Sequence, residues 1–254
     1  MSEGLAAGVA TRNPGARHGH APRRARAYWP HLVVEPGDVA VAFDDDENPF
    51  TVKVVDDAHH LTAASSLIQR RYAWRGYVTS PLEVAGDSRV TLAACLDDTT
   101  LATITATPDG RDGLYVAGVY PDTVAALRTD GRRLCEFTKL AVDESVQSHA
   151  VLGAIFHVAF MYVYQLHRCT DVLIEVNPRH ARFYQRMLGF EAAGDERYDP
   201  AVGAPAVLLR LDLAHSAREI ARLAGQRQRR ERSFYPYFFG PEDAADIVGR
   251  LHGH

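Results

Sequence analysis

The sequence predicts an α/β (α+β) layer fold: a mixed sheet with helices packed on its faces. Three features carry that expectation. Short β-patterned segments recur between helix-patterned ones, in the order strand, helix, hairpin, strand, helix, strand, helix, strand, strand. An apolar run over 150–164 lies between two of the strands and has the length of a buried core helix. Asn177-Pro178 and Gly189 bracket another helix with its start and stop signals.

Taken in order, 50–55 reads as a strand. Residues 56–75 read as a helix, with Asp57 near its N-cap and Leu61, Ala64, Ile68 and Tyr72 along one face. Gly76 suits its C-terminal stop. Segments 89–96 and 100–107 alternate as strands around the turn Asp97-Asp98-Thr99, which makes a hairpin. A short helix is expected at 123–129, a strand at 134–142, a helix at 148–166 and a buried strand at 171–176. Pro178 pre-sets the first turn of a helix over 179–188. Strands at 190–193 and 206–213, a helix at 214–228 and a short helix from Pro241 complete the chain. There is no internal repeat.

Of 254 residues, 46% are hydrophobic and 24% charged, enough for one large domain. Residues 1–45 are Gly-, Ala-, Pro-, Arg- and His-rich without apolar period, and are expected to be a flexible basic tail. The domain is expected over 46–213, followed by an Arg-rich helical extension over 214–254. A net charge of −4 gives no footprint of a nucleic-acid binder. Arginine outnumbers lysine 26 to 2, so the use of lysine at 139 is informative. Three cysteines in no zinc spacing and no apolar leader suggest reduced thiols and a cytoplasmic protein. The apolar run is shorter than the ~20 residues of a membrane span. The acidic run Asp44–Glu47 lacks the glycine and ligand spacing of a calcium loop, so no metal site is expected.

The chemistry concentrates in Glu136-Phe137-Thr138-Lys139-Leu140-Ala141-Val142-Asp143. Strict alternation puts Leu134, Glu136, Thr138, Leu140 and Val142 on one face and Lys139 on the other. A carboxylate among apolar neighbours is desolvated, which raises its pKa and makes it a proton acceptor near neutral pH. The competing reading of Glu136 is a structural ion pair.

With Asn177-Pro178-Arg179-His180-Ala181-Arg182-Phe183-Tyr184 and Leu188-Gly189-Phe190 downstream, the chain resembles the GNAT acyltransferases. That resemblance implies a mostly antiparallel sheet whose central strands splay to admit the pantetheine arm of a thioester. The Glu-x-Thr-Lys-Leu-Ala-Val-Asp string, the Val-Asn-Pro-Arg-His-x-x-Phe-Tyr string, Gly203-Ala204-Pro205-Ala206-Val207-Leu208-Leu209, and Arg71-Tyr72 with Tyr77 narrow it. Together they resemble the FeeM-type N-acyl amino acid synthases, relatives of the acyl-homoserine lactone synthases, over roughly residues 50–213. The implied reaction moves a fatty acyl chain from acyl carrier protein to the α-amine of an amino acid, with acyl-phosphopantetheine as co-substrate and no bound cofactor. Acetyl-CoA users of the fold carry a glycine loop that cradles pyrophosphate. Here 144–151 contains no glycine.

The resemblance implies Glu136 as base, Thr138 as a group ordering the amine or a water, and Tyr184 as either general acid or core ring. Arg71 and Tyr72 are candidates for holding the amino acid, and Lys139 for phosphate or a structural role. Asn177 starts the next helix, and His180 shares a face with Tyr184. Acyl carrier proteins are acidic, so Arg179, Arg182, Arg218 and Arg222 are candidates for docking one. Three competing readings are an acetyl-CoA-dependent N-acetyltransferase, an acyl-homoserine lactone synthase, and a non-catalytic module that binds a carrier or partner.

Overall fold

The computed structural model describes residues 41–43, 50–74, 76–77, 82, 89–146, 148–227 and 231–251. Most of the expected tail, the acidic run Asp44–Glu47, and Arg75, Gln147, Arg229 and Arg230 lie outside the described residues.

The first half of the sheet is an antiparallel meander. Strand β1 (Val41–Phe43) pairs with β2 (Phe50–Val54), so three residues of the expected tail join the sheet. Helix α1 (Ala58–Ala73) follows, and the Asp57 carboxylate caps it by accepting the His60 N–H at 2.9 Å. Its apolar face, Ala64, Leu67 and Ile68, is buried against Ala93, Cys95 and Ala141. The hairpin β3 (Val90–Leu96) and β4 (Thr99–Pro108) turns at Asp97, in the left-handed region with φ 50°. A 3-10 turn, Tyr115–Gly118, absent from the sequence reading, precedes α2 (Pro121–Thr129).

The second half changes direction. Strand β5 (Leu134–Val142) is antiparallel to β4 but parallel to β6 (Asp171–Val176). Between them runs α3 (His149–Phe160), extended by a π-helical turn over Met161–Leu166. Residues 149–166 are long and apolar enough to cross a membrane, yet 67% of that stretch is buried inside the protein. Helix α4 (Pro178–Leu188) starts at Asn177 and ends at Gly189, which takes φ 82° as its left-handed cap. Strands β7 (Glu191–Ala192) and β8 (Arg197–Asp199) both pair with β9 (Ala204–Asp212), which lies beside β6. The sheet order is β1-β2-β3-β4-β5-β6-β9-β7.

Helices α5 (Leu213–Leu223) and α6 (Pro241–Leu251) form the expected extension, but they are not peripheral. Phe234, Tyr235, Phe238, Phe239, Ile247 and Leu251 are buried in the same core as α3 and β3–β5. Two contacts explain why. Gly153 of α3 lies so close to the segment that an added Cβ would meet the Tyr237 Cβ at 2.6 Å. The buried His157 ring accepts the Phe239 N–H at 2.9 Å and stacks on Phe238 and Phe239. The glycine that follows the 144–151 segment thus serves helix packing.

Candidate active site

The β5–β6 ladder stops early. Pairing runs from Leu134↔Asp171 to Glu136↔Leu173, while β5 continues to Val142 and β6 to Val176. Beyond Glu136 the two strands diverge and leave a wedge. The divergence coincides with a bulge in β5, where Lys139 adopts φ 52° and the register with β4 shifts. The backbone requires it. The Asp109 N–H bonds the Leu134 carbonyl and the Asp143 N–H bonds the Leu101 carbonyl, so residues 134 and 143 both address β4. An odd separation cannot do that in a regular strand. The Thr103 hydroxyl fixes the extra residue by donating to the Lys139 carbonyl at 2.9 Å.

The bulge corrects the expected alternation. Glu136 and Thr138 share a face, but Leu140 and Val142 cross to the opposite one, packing with Phe137 against the α3 core, and Ala141 returns to the α1 side. Ladder alternation on either side of the bulge turns the N–H groups of Phe137 and Leu140 toward the wedge.

The wedge opens into a cavity of about 470 Å³, within the roughly 300–1,000 Å³ common for small-ligand sites. Ile104, Phe137, Phe156, Ile174, Val176 and Ala204 make much of its wall apolar. Of the residues singled out in the sequence, Thr138, Lys139, Asn177, His180, Tyr184, Tyr72 and Tyr77 all line it. His180 and Tyr184 stand one turn apart on α4, whose N-terminus is fixed by Asn177: its side chain accepts the Arg179 N–H at 3.3 Å and donates to the Pro205 carbonyl at 3.3 Å. The Thr138 hydroxyl oxygen is buried without a hydrogen-bond partner.

Other candidates are placed elsewhere. Glu136 is fully buried and is not part of the cavity wall. Its Oε1 accepts the Tyr115 N–H at 3.0 Å and its Oε2 the Val116 N–H at 3.1 Å. Burial lifts its pKa to about 7 against the pull of those two amides. Glu136 therefore holds the 3-10 turn, and the turn in its place presents Tyr115 and Val116 to the cavity. Arg71 also lies outside the lining, 3.6 Å from Glu144 and over the Trp74 ring at 5.7 Å. Arg179 donates to the Tyr77 hydroxyl at 2.8 Å, tying α4 to the end of α1. Arg182 and Arg218 are exposed. Arg222 is engaged by Glu219 at 2.5 Å and Glu231 at 3.3 Å.

Two carboxylates in the wall were passed over in the sequence. Glu175, near the end of β6, has a buried Oε1 that makes no hydrogen bond. Burial, the adjoining Asp199 carboxylate and Glu136 together lift its pKa to about 8. Asp199 sits on β8, where its Oδ1 accepts the Ala201 N–H at 2.8 Å. A Glu inside the otherwise apolar string Val-Leu-Ile-Glu-Val carries the same signal as Glu136, and it is the feature by which Glu175 was readable.

The turn from β5 to α3 is closed to a diphosphate. The Ser145 N–H is bonded by Asp143 at 3.0 Å and the Ala150 N–H by its own N-cap, Ser148, at 3.0 Å. Asp143 and Glu144 make the turn acidic, with Arg70 3.1 Å from Asp143.

A parallel β5–β6 pair that splays beside a bulge, in an otherwise antiparallel sheet, defines a GNAT-fold acyltransferase. The profile of the family N-acyl amino acid synthase FeeM matches residues 63–212. The chain belongs to that family. Its structure is similar to that of FeeM, an N-acyl amino acid synthase from uncultured soil microbes, with a TM-score of 0.57 and 25% identity, covering 65% of this chain and 92% of that one. An acyl-CoA N-acyltransferase from Pseudomonas aeruginosa is also similar, with a TM-score of 0.45 and 17% identity over 63% of this chain and 97% of that one. The CoA-dependent acyl-homoserine lactone synthase BjaI gives 0.46 and 12% over 77% and 90%. No curated protein matches the sequence.

Proposed function

We propose that this enzyme transfers a long acyl chain from the phosphopantetheine thioester of an acyl carrier protein to the α-amine of an amino acid in the cytoplasm. The observation that carries this reading is the wedge, which joins an open strand edge to an apolar cavity bearing carboxylates, a hydroxyl and a lysine. The pantetheine arm enters between β5 and β6. The wedge-facing N–H groups of Phe137 and Leu140 receive the oxyanion; losing one such donor costs about 3 kcal/mol of transition-state stabilisation. Tyr184 protonates the departing sulfur. Thr138, with its unsatisfied oxygen, orients the amine. Lys139, the one Lys or Arg among the described lining residues, meets the acceptor carboxylate, a role that passes to it from Arg71.

The donor assignment is supported by the β5–α3 turn. Its amides at Ser145 and Ala150 are taken, and its side chains add negative charge where a CoA pyrophosphate needs donors. A carrier-bound arm ends in one phosphate and asks less of that turn. Arg179 and Arg182, on the helix that begins at the wedge, are the proposed contacts for an acidic carrier.

Chain length tests the cavity. Each buried methylene contributes about 0.8 kcal/mol, so a donor with four fewer buried carbons loses about 3 kcal/mol, a drop of roughly 100- to 300-fold in kcat/KM. A flat profile from octanoyl to palmitoyl thioesters contradicts the apolar cavity as the acyl site.

A further inference from the structure

We propose that Glu175 and Asp199 form the site that binds the acceptor's ammonium group, with Glu175 accepting its proton. This rests on the acyl-transfer reading above and names the base for it. Among the described residues lining the cavity, these two are the only carboxylates. They come from different strands brought together through β9: Glu175 stands opposite Leu208 and Asp199 opposite Ala204. The turn after β8 holds Asp199 in place through its bonds to the Ala201 and Gly203 amides. Glu175 is held open to a ligand, because its buried Oε1 has no donor in the protein. Such an oxygen is costly unless something arrives to bond it. An ammonium brings three N–H donors and one positive charge. Two adjoining carboxylates that share one proton carry one negative charge, which matches it. A divalent cation is a poorer fit, since no group of three or more His, Cys, Asp or Glu suited to a metal exists among the described residues. Glu136 is unsuited to the same task, with both its oxygens bonded by backbone amides outside the cavity wall.

The proton balance closes. Ionised Glu175 takes one proton from the ammonium, and the freed lone pair attacks the thioester carbonyl carbon. As the C–N bond forms and the C–S bond breaks, the second amine proton ends on the leaving sulfur, giving a thiol. Glu175 returns its proton to water. Glu136, Asp199 and Tyr120 act electrostatically on Glu175 or are acted on by it, and Lys139, His180 and Tyr184 share its cavity. A pKa of about 8 makes transfer to an ammonium acceptor rise with pH through that value.

The test compares two acceptors in the full-length protein, using palmitoyl-loaded carrier protein and palmitoyl-CoA as donors. One is a pool of the protein amino acids; the other is methoxyamine, which is already neutral at pH 7. Glu175→Gln is expected to lower transfer to amino acids about 100-fold or more and to erase the pH rise, while leaving transfer to methoxyamine little changed. Asp199→Asn is expected to weaken amino-acid binding through KM. Equal loss with both acceptors, full amino-acid activity in Glu175→Gln, or this acceptor selectivity in Glu136→Gln instead, overturns the assignment. If the wild type acylates no amino acid, the transfer reading fails and the pair is judged alone. Thermal shifts are then read with the amino-acid pool and its N-acetylated counterpart, which lacks the ammonium. Stabilisation by the free amino acids only, lost in Glu175→Gln, upholds the site; any other response overturns it.

Discussion

Glu136 and Glu175 stand on adjoining strands and burial raises the pKa of both, to about 7 and about 8, yet their surroundings divide their roles. Glu136 is bonded by two amides and supports a turn. Glu175 has an open oxygen in a cavity. Replacing Glu136 by Ala leaves the Tyr115 and Val116 amides without their acceptor, at about 1–3 kcal/mol each if they stay buried. That variant is expected to lose several degrees in Tm and to lose activity as the turn shifts; a wild-type melting curve would contradict the role. The sequence made Glu136 conspicuous, because a carboxylate in an apolar strand is visible in one dimension. Its two amide partners come from a 3-10 turn about twenty residues upstream, a pairing only the tertiary fold creates. Asp199 was equally invisible, since β8 is a three-residue strand that exists only by pairing with β9.

At the scale of elements, local signals were legible wherever backbone chemistry sets them. Asp57, Asn177, Pro178 and Gly189 mark helix ends in the structure as they do in the sequence. The bulge at Lys139 was not legible. Alternation is a rule for a regular strand, and the inserted residue moves Leu140 and Val142 to the other face. Gly153 is a second case: its value lies in the approach of Tyr237, far along the chain. Gly153→Ala gains about 1 kcal/mol of helix propensity but incurs an overpacking cost of about 1–3 kcal/mol. Net destabilisation is expected in denaturant unfolding, and a more stable variant would contradict the close contact. His157 gives the pH prediction. Burial lowers its pKa from 6.5 to about 3, so below pH 6.5 the unfolded chain takes up a proton that the folded one refuses. Its contribution is complete above pH 6.5 and is lost at about 1.4 kcal/mol per pH unit below it. Relative to His157→Phe, the wild type's stability should therefore fall by about 2 kcal/mol from pH 6.5 to 5. A difference independent of pH would show that the ring is not held neutral.

For the whole molecule, the mixed sheet and its helices follow from the order of patterned segments, and the expected splay between β5 and β6 is present. The C-terminal segment was legible as helix and aromatic cluster but not as core, because nothing local says which surface an aromatic cluster covers. Its role there gives a sharp expectation. Removing 233–254 strips six large buried side chains from the main core, each contributing about 1.5–3 kcal/mol. That sum rivals the 5–15 kcal/mol stability of a typical domain, so the shortened chain should show no cooperative melting transition. The claim on which the account turns is the acyl transfer itself. Purified full-length protein, mixed with a pool of amino acids and either palmitoyl-loaded carrier protein or acetyl- and palmitoyl-CoA, should yield a long-chain N-acyl amino acid by intact mass, faster from the carrier. Acetylated product from acetyl-CoA alone would contradict both the acyl cavity and the reading of the β5–α3 turn.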